Sequence, residues 1–268
     1  HVKRHSFPTR RSSDLVSLAV VFATLAPFTL PASAHPISTE LSEKFARGAY
    51  LDAAVDAEAG ATADDLAFAA RALLAQCMTG TDEPDAALID QAARNAEAAL
   101  KLEPDLDEAR LQLAIALSLK SRPMDAMAAW TAGYGEKARK LAEGVLKSDP
   151  ANFYAQGFLA VWNIEVQKRG GDMGAWMMNA SIDKARAYYA AAASLAPDDI
   201  GIHWQYARAL VSLDAAGYAD EAMRALDRAI NASAGDYLER IMQQRASELA
   251  TALKADKASA QKLAETML

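Results

Sequence analysis

Pro104, Pro150 and Pro197 occupy the same local setting three times over. Each follows an alanine by twelve residues (Ala92, Ala138 and Ala185), and each precedes a pair at plus nine and plus ten: Leu113-Ala114, Leu159-Ala160 and Tyr206-Ala207. An offset recurring in register marks a chain built from stacked units, none of which can bury its apolar face alone. The chemistry of each position suits that reading. An alanine at a fixed place lets two helices of a hairpin approach closely. A proline lacks the N–H needed to continue a helical ladder, so it ends one helix and turns the chain toward the next. The pair that follows then faces inward. Alanine is abundant and β-branched runs are rare, which favours helices by propensity; no strand pattern is convincing.

The phrases that carry these offsets are ALKLEPDLDEARLQLAIAL (Ala99 to Leu117), VLKSDPANFYAQGFLAVW (Val145 to Trp162) and SLAPDDIGIHWQYARAL (Ser194 to Leu210). Over about residues 38–233 the chain resembles the tetratricopeptide repeat family. That resemblance implies an all-α fold: a right-handed superhelical α-solenoid of about four helix hairpins, with a C-terminal capping helix. Two departures stand out. The family repeats about every 34 residues, whereas the prolines here are 46 and 47 apart. The alanine-to-proline half keeps its length, so the extra residues fall between the two helices of a hairpin, in Ser121–Gly133 and in about Val166–Ile182. The aromatic that the family carries near the start of the first helix is also missing; Arg110, Gln156 and His203 stand there.

Along the chain, Thr39–Ala59 reads as a short helix pair turned at Gly48. Four hairpins follow: Thr62–Met78 with Asp85–Lys101, Leu106–Lys120 with Glu136–Lys147, Ala151–Gln167 with Ser181–Leu195, and Asp199–Asp214 with Asp220–Ala232. Asp236–Lys254 is the expected capping helix, apolar on one face. The expected organisation is residues 1–14 non-native, 15–34 a signal peptide, 35–254 the repeat domain and 255–268 a polar helical tail that can fray.

The first segment, with SFPTRRSSDL (Ser6 to Leu15), resembles the translated read-through of a sequencing adapter. Leu15–Leu30 is an uncharged apolar run, short for a bilayer span of roughly 20 residues. Ala32-Ser33-Ala34 follows it, which suits cleavage after Ala34 and export. A periplasmic setting is expected, without stable membrane insertion after cleavage.

Residues 1–34 contain Lys3, Arg4, Arg10, Arg11 and Asp14, so the net charge is −7 for the whole sequence and −10 from His35 onward. Such a chain is repelled by nucleic acid and by anionic membranes. Cys77 is the one cysteine, so no internal disulfide can form and stability must come from packing. Its place in an apolar helix suits a buried small hydrophobe, with a reactive thiol as the other reading.

No catalytic set, metal-ligand spacing or phosphate-binding loop can be assembled. His203 with Asp199 is the only local acid–base pair. The expectation is a non-catalytic exported scaffold without cofactor or metal, binding a protein or peptide partner. The resemblance implies that the first helices line a groove. Its residues would be Glu108, Gln112 and Ile115, then Tyr154, Phe158 and Val161, then Trp204, Gln205 and Arg208; Phe158 and Val161 could instead pack between hairpins. The insertions hold Met124, Met127 and Trp130, and Met173, Trp176 and Met177, with Met178 beside them. These residues either extend the core or form an apolar lip over the groove. In the second case the chain could be a solute-binding accessory of a transport system, with that lip lining an apolar pocket. Oligomeric state has no signal in the sequence.

Overall fold

In the computed structural model, residues 37–80 and 83–268 are described. The segments read above as artefact and signal peptide lie outside the described residues. Among the described residues there are thirteen helices and no strand: α1 (Thr39–Ala46), α2 (Tyr50–Gly60), α3 (Ala63–Thr79), α4 (Ala86–Leu102), α5 (Asp107–Ser121), α6 (Ala126–Ala132), α7 (Tyr134–Ser148), α8 (Phe153–Met178), α9 (Ile182–Leu195), α10 (Ile200–Asp214), α11 (Ala219–Asn231), α12 (Tyr237–Ala255) and α13 (Lys257–Thr266).

Most helices start where a short polar side chain can satisfy a free backbone N–H of the first turn. Thr62 accepts from Asp65 N, Asn152 from Ala155 N, Ser181 from Lys184 N, Asp199 from Ile202 N and Asp236 from Glu239 N. Each such cap contributes about 1 kcal/mol. The three prolines fall in the turns before α5, α8 and α10. Ala92, Ala138 and Ala185 have no exposed surface, and Leu113-Ala114, Leu159-Ala160 and Tyr206-Ala207 are buried. The register read from the sequence is therefore the register of the packing.

Hairpin partners pack as expected: α3 with α4, α5 with α7, α8 with α9, and α10 with α11. The first helices also touch in series, α3 to α5, α5 to α8, α8 to α10, and α10 to α12. The series then returns to its start, because α12 contacts α3 and α1. Gly48, in the turn between α1 and α2, makes this return possible. Its φ is +87°, and a Cβ there would lie 2.7 Å from Tyr237 Cδ1, a position only glycine fills without strain. Across the same junction the Tyr50 and Tyr237 rings lie 6.4 Å apart. Arg245 of α12 donates to Gly80 O at 2.6 Å and to Met78 O, at the end of α3.

The insertions are helical. The first becomes α6, and the second lengthens α8 through a kink at Gly171, whose φ of 56° and ψ of −161° interrupt the helix. The polar tail expected at 255–268 is instead a docked segment. α13 packs on α10 and α12, Ala260 and Ala264 are fully covered, and Met267 and Leu268 are buried. Small residues spaced four apart let this short helix sit close, so its polar composition describes only its outer face.

Candidate functional site

The circuit formed by α3, α5, α8, α10 and α12 surrounds a cavity of about 480 Å³, to which α6 adds a wall. Leu111 and Ile115 of α5, Phe158 and Val161 of α8, Ile202 of α10 and Met242 of α12 make its waist apolar. These residues are spaced three or four apart on their helices, the spacing of one helical face.

The two ends of the cavity differ in charge. At one end lie the first turns of α5, α8, α10 and α12, with Glu108, Asp199, Asp236 and Glu239 among the lining residues and Arg71 facing Glu108 at 3.8 Å. Tyr154 stands there with half its surface exposed; desolvation first, and then Asp199, push its phenol up to about 12. At the other end Arg122, Arg169 and Arg208 line the cavity with the Glu165 carboxylate. Arg208 Nη2 donates to Glu165 Oε1 at 3.1 Å and Arg208 Nε to Gln205 Oε1 at 3.1 Å. Burial works to raise the Glu165 carboxyl, but the charges of Arg208, Lys168 and Arg122 outweigh it and hold it below the usual range.

Neither of the other two arginines makes an ion pair among the described residues. Arg169 Nη1 donates to Ser121 Oγ at 3.1 Å, and its Nη2 to Ser121 O and Met124 O at 2.9 and 2.6 Å. Arg122 donates to the carbonyl oxygens of Glu265 and Met267 at 2.9 and 3.3 Å, closing the end of α13. Although its surface is partly open at the rim, desolvation first and then repulsion from Arg208 and Arg169 hold the Arg122 guanidinium down to about 10.

Eight of the nine residues carried over from the family groove line this cavity: Glu108, Gln112, Ile115, Tyr154, Phe158, Val161, Gln205 and Arg208. Trp204 does not. It is wholly buried, and its Nε1 donates to Leu268 O at 3.1 Å beneath the docked 257–268 segment. Arg208 is buried in its pair with Glu165 and is not a free anchor.

Of the six insertion residues Met124, Met127, Trp130, Met173, Trp176 and Met177, Trp130 lines the cavity, as does the nearby Met178. Met127, Met173, Trp176 and Met177 are exposed, Trp176 at 78%, so they do not extend the core. Met124 is half-buried and offers its carbonyl to Arg169. The two insertions meet where Arg169 donates to Ser121 and Met124, and just outside them Trp162 Nε1 donates to Gly135 O at 2.9 Å with Met178 beside Gly135.

Sequence reasoning did not single out Arg122, Arg169 and Glu165. Arg122 and Arg169 lie in the insertions, where the repeat register supplies no offset to carry over. Glu165 falls one turn beyond Val161 on α8, and a continued three-to-four spacing from Phe158 and Val161 would have found it. His203 takes no part in the cavity; it is a buried ring held between Tyr189 and Pro197. Cys77 is buried, with its thiol pushed up to about 11 by desolvation, as suits a small core hydrophobe. Among the described residues no helix is long and apolar enough to cross a membrane. No protein-family model matches this sequence, and no similar protein was found among curated ones.

Proposed function

We propose that this chain is an exported protein of tetratricopeptide type that binds a small, elongated, largely apolar solute without transforming it, as an accessory to a transport system of the periplasm. The observation that supports this reading is the return of α12 onto α1 and α3 around a cavity of about 480 Å³. Cavities of roughly 300–1,000 Å³ with apolar walls and a few placed polar groups are the usual setting for small ligands. A helical peptide needs a trough about 10 Å across with open ends, and here the trough's first and last helices touch.

Thermal-shift screening of residues 35–268 against linear apolar solutes of six to twelve carbons tests the reading. A ligand held at a hundred times its Kd adds about 2.7 kcal/mol of stability, an upward shift of several degrees. If no such solute stabilises the protein, and envelope extract instead yields a protein partner whose capture depends on Tyr154, the scaffold reading takes its place. Tyr154 suits that comparison because it is the exposed aromatic at the cavity edge. Trp204→Ala would not serve, since it removes a core side chain.

A further inference from the structure

We infer that the arginine end of the cavity is a subsite for an anionic head group, so that the solute is an amphiphilic acid: a carboxylate held by Arg122 and Arg169 beside the Arg208–Glu165 pair, with its apolar body along the waist. The inference rests on the solute-binding reading and adds polarity and orientation to it. Three guanidinium groups lie at this end with Glu165, and Glu136 of α7, paired with Lys140 at 2.7 Å, lines the cavity as well, in a chain whose net charge is −7. Glu165 is committed to Arg208 at 3.1 Å, and the nearby Lys168 is committed to Glu265 at 3.7 Å. Arg122 and Arg169 spend their donors only on neutral oxygens, those of Glu265, Met267, Ser121 and Met124.

Like charges drawn together are costly unless a counter-charge joins them, and a bound carboxylate supplies one. Ser118, Ser121 and Gln205 line the same end and offer further polar contacts. The opposite end carries Glu108, Asp199, Asp236 and Glu239, which repel an anion. The acid can therefore enter the cavity in one sense only. Guanidinium is the group best matched to a planar carboxylate, which it can grip through two parallel hydrogen bonds.

The test uses three probes of equal length, octanoate, octanol and octylamine, titrated at pH 8 into residues 35–268 and followed by calorimetry. Octanoate should bind about ten-fold more tightly than octanol, the gain expected of a charge-assisted over a neutral hydrogen bond, and octylamine more weakly than either. Arg122→Gln and Arg169→Gln should each erase most of the acid's advantage and leave octanol unchanged. Because either variant can disturb the docking of α13 or the end of α5, Glu165→Gln provides an independent arm. It keeps an acceptor for Arg208 while removing the local negative charge, and should tighten octanoate several-fold. Equal affinity for octanoate and octanol, a preference for octylamine, or an acid preference indifferent to all three variants would overturn the anionic subsite while leaving solute binding in place. Binding of none of the three probes would overturn both.

Discussion

His203 Nε2 lies 2.7 Å from Pro197 O, the carbonyl oxygen six residues earlier in the chain. The same relationship occurs at both other junctions. Arg110 Nη2 donates to Pro104 O at 2.9 Å and Gln156 Nε2 to Pro150 O at 3.3 Å. These are the three positions where the tetratricopeptide resemblance implies an aromatic; at each, a side-chain donor instead ties the incoming helix to its own proline turn. At Pro197 the carbonyl can only accept, so Nε2 carries the proton and Nδ1 accepts from Tyr189 Oη at 2.8 Å.

Removing these ties should destabilise each junction on its own. Gln156→Ala, at a half-exposed site, should cost about 0.5–1 kcal/mol, and His203→Ala, at a buried one, about 2–4 kcal/mol, since it loses two hydrogen bonds and leaves a void. The sites are one repeat apart and share no partner, so the double variant should show the sum within about 0.5 kcal/mol. Urea unfolding checks both expectations. A loss at His203 no larger than that at Gln156 would contradict the buried, doubly bonded geometry.

Burial holds the His203 pKa below its ordinary 6.5. The unfolded chain then takes up a proton near pH 6.5 while the folded ring is still neutral. Stability tied to this group is present above 6.5 and is lost as pH falls through 6.5 toward the folded value. Asp199, whose carboxyl is raised by burial, acts in the opposite sense, so the contribution must be read from a difference. The stability gap between the protein and His203→Gln should narrow from pH 7.5 to pH 5.5. A gap constant over that range would show that the ring is not held neutral by its surroundings.

The return of α12 depends on one glycine. Gly48→Ala places a Cβ 2.7 Å from Tyr237 Cδ1 at a φ of +87°, for a cost of about 1–3 kcal/mol. Hydrogen exchange should quicken in the first turn of α12 and in the α1–α2 turn before it does so in α8. Adding Tyr237→Ala should recover the part of the cost due to the clash and leave the part due to the backbone.

Ending the chain after Asp256 should uncover Trp204. Its indole N–H would lose Leu268 O, and the contacts of Ala260, Ala264, Met267 and Leu268 would go with it. Tryptophan emission should shift to the red, and Trp204→Phe should abolish that shift. A shift that persists in Trp204→Phe would place the change at another tryptophan.

The Cys77 thiol should react with a disulfide reagent only as fast as α3 opens, because the group is buried and its pKa is raised to about 11. Labelling at pH 8 should run orders of magnitude slower in native protein than in urea. Comparable rates in the two states would mean that the thiol is accessible.

Much of this protein is legible in its sequence because its contacts are local and periodic. The alanine, the proline and the inward pair lie within about one repeat of each other, so the constraint that places Ala138 against its partner helix is written within a few dozen residues. The face that lines the cavity is legible through the same local register: Gln112, Ile115, Phe158, Val161 and Gln205 stand at the groove offsets that the resemblance to the tetratricopeptide family implies. Closure of the circuit has no such signature. The approach of Tyr237 to Gly48 and of Arg245 to Gly80 joins residues more than 160 apart, where no offset repeats and the outcome depends on small rotations summed over every hairpin. The same holds for the cover over Trp204 and for the meeting of Arg122, Arg169 and Arg208. Local spacing determined which residues face inward, and only the accumulated geometry of the whole chain decided what they face.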